Sequence, residues 1–387
     1  MTTTSQKLWR GVGLAAMIAA APTLTQAQSV QVGPGATASG TSSTAVGSNS
    51  QATGDYSATF GTGATASAQG ATAVGVNAKA TTTYATSTGV NSAATGGYST
   101  ATGGAAQATG YVATANGYNA QATGDYSSTF GANTVATGPH ATATGHAATA
   151  TGQYATANGA NAAATALNTT AVGGASQATA VQSTALGVSA QATAVNATAV
   201  GVASKADGEA SVAAGVSSQA TAVNSVAVGV GSVASGEGST ATGAYSQATG
   251  FNATANGIGA VASGNSSTAA GRAAVAGGDV STATGFDAQA KGYGSIAVGA
   301  AARAVETGST AVGINAQSTA VNGIAVGNNA AATGVNSVAV GASSVSTGSG
   351  STATGVWAQA KGDGAVANGW NATERFKLPV MLALNSP

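Results

Sequence analysis

From residue 33 to residue 369, small and long side chains alternate in short runs, and the pattern repeats with a fixed period of one 14-residue unit. Counted from a glycine as position 0, the average unit reads G-x-N-[AS]-Q-A-T-[GA]-x-x-[SA]-T-A-[VTN]. Positions 3, 5, 10 and 12 are almost always Ala, Ser or Thr. Position 5 is Ala from Ala52 to Ala360 except at Ser318 and Ser346, and position 12 is Ala except at Thr59, Ser87 and Thr129. Positions 4, 6, 11 and 13 carry the longer Gln, Lys, Thr, Val and Ile. A period of two is the mark of a strand, whose successive side chains point to opposite faces. The small residues therefore face a space too narrow for anything larger.

Position 0 is glycine in every unit, from Gly33 to Gly369, with no insertion or deletion between them. A weaker glycine at position 7 (Gly54, Gly96, Gly110, Gly124 and Gly152) divides the unit into two halves. Each half reads as a turn of about three residues followed by about four extended ones, with Gly supplying the positive φ and close approach that a turn needs. One supersecondary unit copied along the chain is a repeat array without a single closed core. Two heptads would give the same period, but Gly at each boundary with Thr and Val between makes a helix costly. Disordered low-complexity chains drift in spacing, and a flat silk-like sheet needs no unit with two different faces. The pattern predicts an all-β solenoid of 14-residue coils with two short strands per coil, stacked about 4.8 Å apart.

Charge assigns the faces. Charged residues make up 5% of the chain and the formal net charge is zero. The array itself has six Lys/Arg and nine Asp/Glu, so it lacks the basic face a nucleic-acid partner requires. None of these 15 lies at positions 3, 5, 10 or 12, as an inward reading demands. Positions 4 and 6 carry Lys79, Lys205, Asp207, Lys291, Arg303 and Lys361 and so face water. Positions 11 and 13 carry no charge, and hold Val226 and Val228, Ile296 and Val298, Ile324 and Val326, and Val338 and Val340. An Ala-lined coil buries little apolar area, at roughly 25 cal/mol per Å². A charge-free outward face is thus expected to supply the missing core by self-association.

The segment 1–27 differs. Lys7 and Arg10 precede a short run of small apolar residues, Gly11 to Ala21, and Thr25-Gln26-Ala27 fits a small-x-small cleavage site. This reads as a secretory signal peptide cut after Ala27, its apolar run being too short to span a bilayer. The chain has no cysteine, which excludes disulfides and thiolate metal sites and suits an exported protein that does not depend on them.

Two segments carry a family resemblance. Asn224-Ser225-Val226-Ala227-Val228-Gly229 and Asn336-Ser337-Val338-Ala339-Val340-Gly341 resemble the NSVAIG-type signature of YadA-like heads, the head domains of trimeric autotransporter adhesins of Gram-negative bacteria. Gly294-Ser295-Ile296-Ala297-Val298-Gly299 and Gly323-Ile324-Ala325-Val326-Gly327 are related forms. The resemblance implies a left-handed parallel β-roll, a homotrimer of chains packed side by side, and display at the cell surface. It also implies that the Val and Ile of the signature face the trimer axis, the face marked above by absence of charge. Phe60 and Phe130 at position 13 would then plug that axis, and Asn116, Asn158, Asn256 and Asn368 would form polar layers fixing register.

The expected organisation is a signal peptide (1–27), an N-terminal cap and first coil (28–46), head repeats (47–370) and a non-repeat tail (371–387). Such adhesins continue into a neck, a coiled-coil stalk and an anchor of four β-strands per chain. The tail has no heptads and is too short for four spanning strands, so it reads as truncated or out of frame. The chain is expected to be exported: at the cell surface or outer membrane if an anchor is supplied downstream, otherwise secreted or periplasmic.

No catalytic constellation, metal site or cofactor motif is present, so the chain does not read as an enzyme. His140 and His146, at positions 9 and 1, lie at opposite turns. Asp55, Asp125, Glu237 and Asp363 sit singly on turns, and Asp207 and Glu209 lie close together without forming an acid–base constellation of defined geometry. The aromatics carry more information. Tyr56, Tyr84, Tyr98, Tyr126 and Tyr154 share position 9, with Tyr111 at position 8, so they line one turn edge. They are a candidate binding edge, or alternatively a shield for the coil edge beneath them.

The expected function is that of an adhesin head attaching to host matrix protein, cells or other bacteria through many weak copies, with no nucleic-acid partner and no membrane contact by the repeats. A non-binding spacer or released truncated product is the alternative. An ice-binding solenoid, suggested by Thr-Ala-Thr steps such as Thr100–Thr102, Thr142–Thr144, Thr282–Thr284 and Thr352–Thr354, is a distant third because position 13 alternates irregularly.

Overall fold

A computed structural model describes residues 28–374. The cleavage site at Ala27 and the tail after Glu374 lie outside the described residues. Among these residues there is no helix, and the chain is a parallel β-solenoid of about 25 coils. It comprises two compact units, the first ending at Thr193 and the second beginning at Ala194.

Within each unit every coil contributes one three-residue strand at positions 11–13 and one two-residue strand at positions 4–5. In the first unit Thr72–Val74 pairs in parallel with Thr86–Thr88, and Lys79–Ala80 with Ala93–Ala94. In the second, Val226–Val228 pairs with Thr240–Thr242, and Gln219–Ala220 with Val233–Ala234. The partner of each residue is its equivalent in the next coil, so every side chain lies over its own counterpart. The two halves are thus unequal, and the sequence's equal runs of about four extended residues overstate the strands. The turns take the remaining positions. Coil geometry also continues past residue 370, since Thr373–Glu374 pairs in parallel with Gln359–Ala360.

The turns explain the consensus. Each closes on itself by an i to i+3 bond: the Ala64 N–H donates to Gly61 O at 3.3 Å, and the Ala85 N–H donates to Thr82 O at 3.1 Å. The third residue of each turn, at position 2 or 9, is left-handed, as at Asn77 (φ 55°), Tyr84 (φ 53°) and Asn91 (φ 57°). Asn tolerates this region best among non-glycine residues, which accounts for the recurrent Asn at position 2. Position 0 is more demanding. Gly47 has φ 129°, and a Cβ there would stand 2.5 Å from Gly61 O of the next coil. Conformation and close approach together exclude any side chain, and the glycine never changes.

The interior is as narrow as predicted. Alanines at positions 3, 5, 10 and 12 are almost all inaccessible to solvent, and the largest fully buried side chains are Thr59, Thr129, Thr134 and Thr169. Interior hydroxyls return to the turn backbone: Ser50 Oγ donates to Gly47 O at 2.9 Å, and Ser309 Oγ to Glu306 O at 2.6 Å. Others, including Ser127 and Ser211, have no partner.

Candidate functional site

The turn at positions 7–10 carries the tyrosines. Its backbone leaves them no choice of direction: the residue at position 9 donates its N–H to the carbonyl of position 8 in the preceding coil, as Tyr84 does to Gln69 O at 2.9 Å. Each side chain then projects from the same point of each coil, about 4.8 Å from the next. Aromatic rings at that spacing meet. Tyr84 and Tyr98 stack with centroids 5.5 Å apart and planes at 26°. Tyr126 and His140 stack at 4.9 Å and 2°, and His140 and Tyr154 at 5.0 Å and 13°. Tyr111 joins the two stacks, lying 5.8 Å from Tyr98 and 5.7 Å from Tyr126 with its plane at 81° and 80° to theirs.

The result is a continuous row of six rings, Tyr84–Tyr98–Tyr111–Tyr126–His140–Tyr154, all exposed. Tyr56 stands outside it, because Gly70 occupies the intervening coil. Tyr84 instead lays its ring over Gly70, where a Cβ would stand 2.5 Å from Tyr84 Cδ1. His140 is not among the edge residues that the sequence singles out. The signal is present in its position 9, shared with the tyrosines, but a lone turn histidine draws attention as a ligand rather than as a ring.

The acidic residues of this edge have structural partners. Asp125 Oδ1 accepts the Tyr111 N–H at 2.9 Å, Asp55 Oδ1 the Thr41 N–H at 2.7 Å, and Asp363 Oδ1 the Ser349 N–H at 2.8 Å. In each case a position-8 carboxylate takes the position-8 N–H of the preceding coil. Among the described residues no group of three or more His, Cys, Asp or Glu is placed to hold a metal ion. His140 and His146 remain at different turns.

The charge-free face is the second candidate. Its position-13 side chains are exposed: Phe60 45%, Phe130 43%, Val228 40%, Val298 36% and Val340 36%, with Val326 half-buried. At position 11, Ile296 and Ile324 are exposed, while Val226 and Val338 are half-buried. Along the coils they stand on strips rich in Thr and Val, without a covering layer among the described residues. Isolated exposed apolar residues are ordinary, but contiguous ones mark contact surfaces.

The family of the YadA head domain repeat (2 copies) matches the chain at 13 places between residues 38 and 372, leaving few positions of that span uncovered. The chain belongs to the YadA head family. No curated protein matches it closely enough to be set beside it. YadA heads are structural domains of trimeric autotransporter adhesins, and the 14-residue parallel solenoid described above fits that membership. The family implies homotrimer formation and host binding in general, as well as an exported surface adhesin.

Proposed function

We propose that this YadA head is exported by the leader ending at Ala27, assembles as a homotrimer through positions 11 and 13, and attaches to surfaces through the turn edge bearing Tyr84 to Tyr154. The reading rests chiefly on one observation: an outward face carrying Phe60, Phe130, Ile296 and Ile324 is exposed in the single chain and free of charge throughout. Packing three such faces together buries the apolar area that an alanine interior does not provide. The Tyr edge lies on a turn rather than on that face, so trimer assembly leaves three copies of it available. Many weak contacts repeated on three chains give avidity without a deep pocket.

Sedimentation tests assembly: the purified chain is expected to run as a trimer, and a stable monomer at micromolar concentration would refute it. Deleting residues 47–158 tests attachment. The deletion removes eight whole coils and preserves the phase of the rest. Binding of cells or matrix by the protein is expected to fall sharply, and undiminished binding would remove the Tyr edge from the mechanism.

A further inference from the structure

The six coils that carry the ring row also carry an exposed threonine at position 6: Thr81, Thr95, Thr109, Thr123, Thr137 and Thr151. Each lies three or fewer residues before the ring of its own coil, across a turn that begins with glycine in the last five. Hydroxyl and ring thus border the same turn, once per coil. We propose that this double row binds a neutral, extended polysaccharide chain lying along the stacking direction. The proposal rests on the Tyr edge being the attachment site and names the chemistry of its ligand.

Three observations select this class. The first is charge. Between residues 81 and 154 the only charged side chain is Asp125, and its carboxylate already holds the Tyr111 N–H. A sulfated glycan or a nucleic acid would find no cation here. The second is which parts of the rings are free. Stacking of Tyr126 on His140 and of Tyr84 on Tyr98 turns their faces along the row, toward each other, and leaves edges and phenol hydroxyls outward. Proline-rich ligands dock in grooves that present aromatic faces, which these rings withhold. The perpendicular Tyr111 is the exception. It meets its neighbours edge-on, so its own faces turn aside, one flat apolar platform in a row of hydroxyls. A sugar ring stacks on such a platform through its C–H groups while its hydroxyls exchange hydrogen bonds on either side.

The third is spacing. Hydroxyl groups recur once per coil, about 4.8 Å apart. An extended β-linked pyranose chain advances by a similar step per sugar, so successive sugars meet equivalent groups. An extended polypeptide advances roughly 3.3–3.6 Å per residue and falls out of step.

Isothermal titration of the secreted full-length chain tests this, with a neutral β-linked glucose hexasaccharide, a heparin hexasaccharide and a triple-helical Gly-Pro-Pro peptide as probes. The neutral hexasaccharide is expected to bind and heparin not to. Replacing Thr95, Thr109 and Thr123 by Val keeps β-branched side chains on the exposed face and is expected to weaken binding about tenfold. Tyr111→Leu is expected to weaken it similarly, and far-UV circular dichroism is expected to match the parent in both variants. No saturable binding of the neutral hexasaccharide, or parental affinity in both variants, would overturn the proposal. Binding of the Gly-Pro-Pro peptide alone would overturn it in favour of a protein ligand while leaving the edge as the attachment site. Unchanged cell attachment after deletion of 47–158 would instead sink the edge reading itself.

Discussion

The first unit, up to Thr193, and the second, from Ala194, share one backbone and differ in what they mount on it. In the first, position 11 is Thr, Ser or Ala from Thr44 onward, and the aromatic turn runs over six consecutive coils. In the second, position 11 becomes Val or Ile at Val212, Val226, Ile296, Ile324, Val338 and Val366, and position 9 has no aromatic residue. Rings in the second unit stand at other turn positions, as in the Trp357–Trp370 pair with centroids 6.2 Å apart and Arg272 lying 5.6 Å from the Phe286 centroid. A solenoid coil fixes the direction of every position, so properties can be distributed along it independently. At position 11 the second unit carries more apolar side chains, whereas the first carries the continuous row of rings.

The largest expected effect ignores that division, because the interior is common to both units. Ala227→Leu inserts a branched side chain where, among the described residues, no fully buried side chain exceeds threonine in size, and is expected to cost about 3 kcal/mol. Ala115→Leu should do the same in the first unit. Thermal melting followed by circular dichroism checks both, and melting of either variant at the parental temperature would contradict so tight an interior.

Assembly separates the units. The double variant Ile324→Asp with Val338→Asp places unpaired carboxylates in the proposed contact and is expected to yield monomers in sedimentation. Thr100→Asp with Thr114→Asp changes the same position in the first unit, where less apolar area is lost, and should shift the trimer less. Equal dissociation by the two pairs would erase the contrast between units.

The ring row belongs to the first unit alone. His140→Ala opens the stack at its closest contacts and is expected to lose about 1 kcal/mol per ring pair. Local amide exchange in residues 126–154 should report it, with the second unit unchanged. The smallest effect distinguishes interior hydroxyls. Ser309→Ala removes the bond to Glu306 O and should cost about 1 kcal/mol, whereas Ser127→Ala removes an unpartnered hydroxyl and should be neutral or slightly stabilising. Identical melting shifts would show that the two hydroxyls are equivalent.

The alternation of Ala with longer residues is sufficient to read the period, the two strands per coil, the inward positions and the wet and charge-free faces. These follow from a side chain's direction, which the pleat dictates at every coil. What the sequence conceals depends on departures from the average. The left-handed residues at positions 2 and 9 are masked because Tyr, Ala, Ser and Val stand there as well as the Asn and Gly that favour this region, as at Tyr84, Ala105 and Val112. The unequal strands arise from which amides find partners across coils, a property no residue type reveals. His140 emerges only when position 9 is followed through consecutive coils, because a consensus averages it with the unrelated coils of the second unit. Asp55, Asp125 and Asp363 look idle in sequence because their partners are backbone amides of the preceding coil.

The constant glycine at position 0 has a consequence for inheritance. Because its backbone fits no other residue, every repeat keeps the same 14-residue frame. Adding or removing a whole 14-residue repeat leaves every other residue on its original face, so the number of coils can change without altering the geometry of the rest. Loss of one codon has the opposite outcome. The strand it shifts sends alanines outward and long side chains inward, and the coil cannot close.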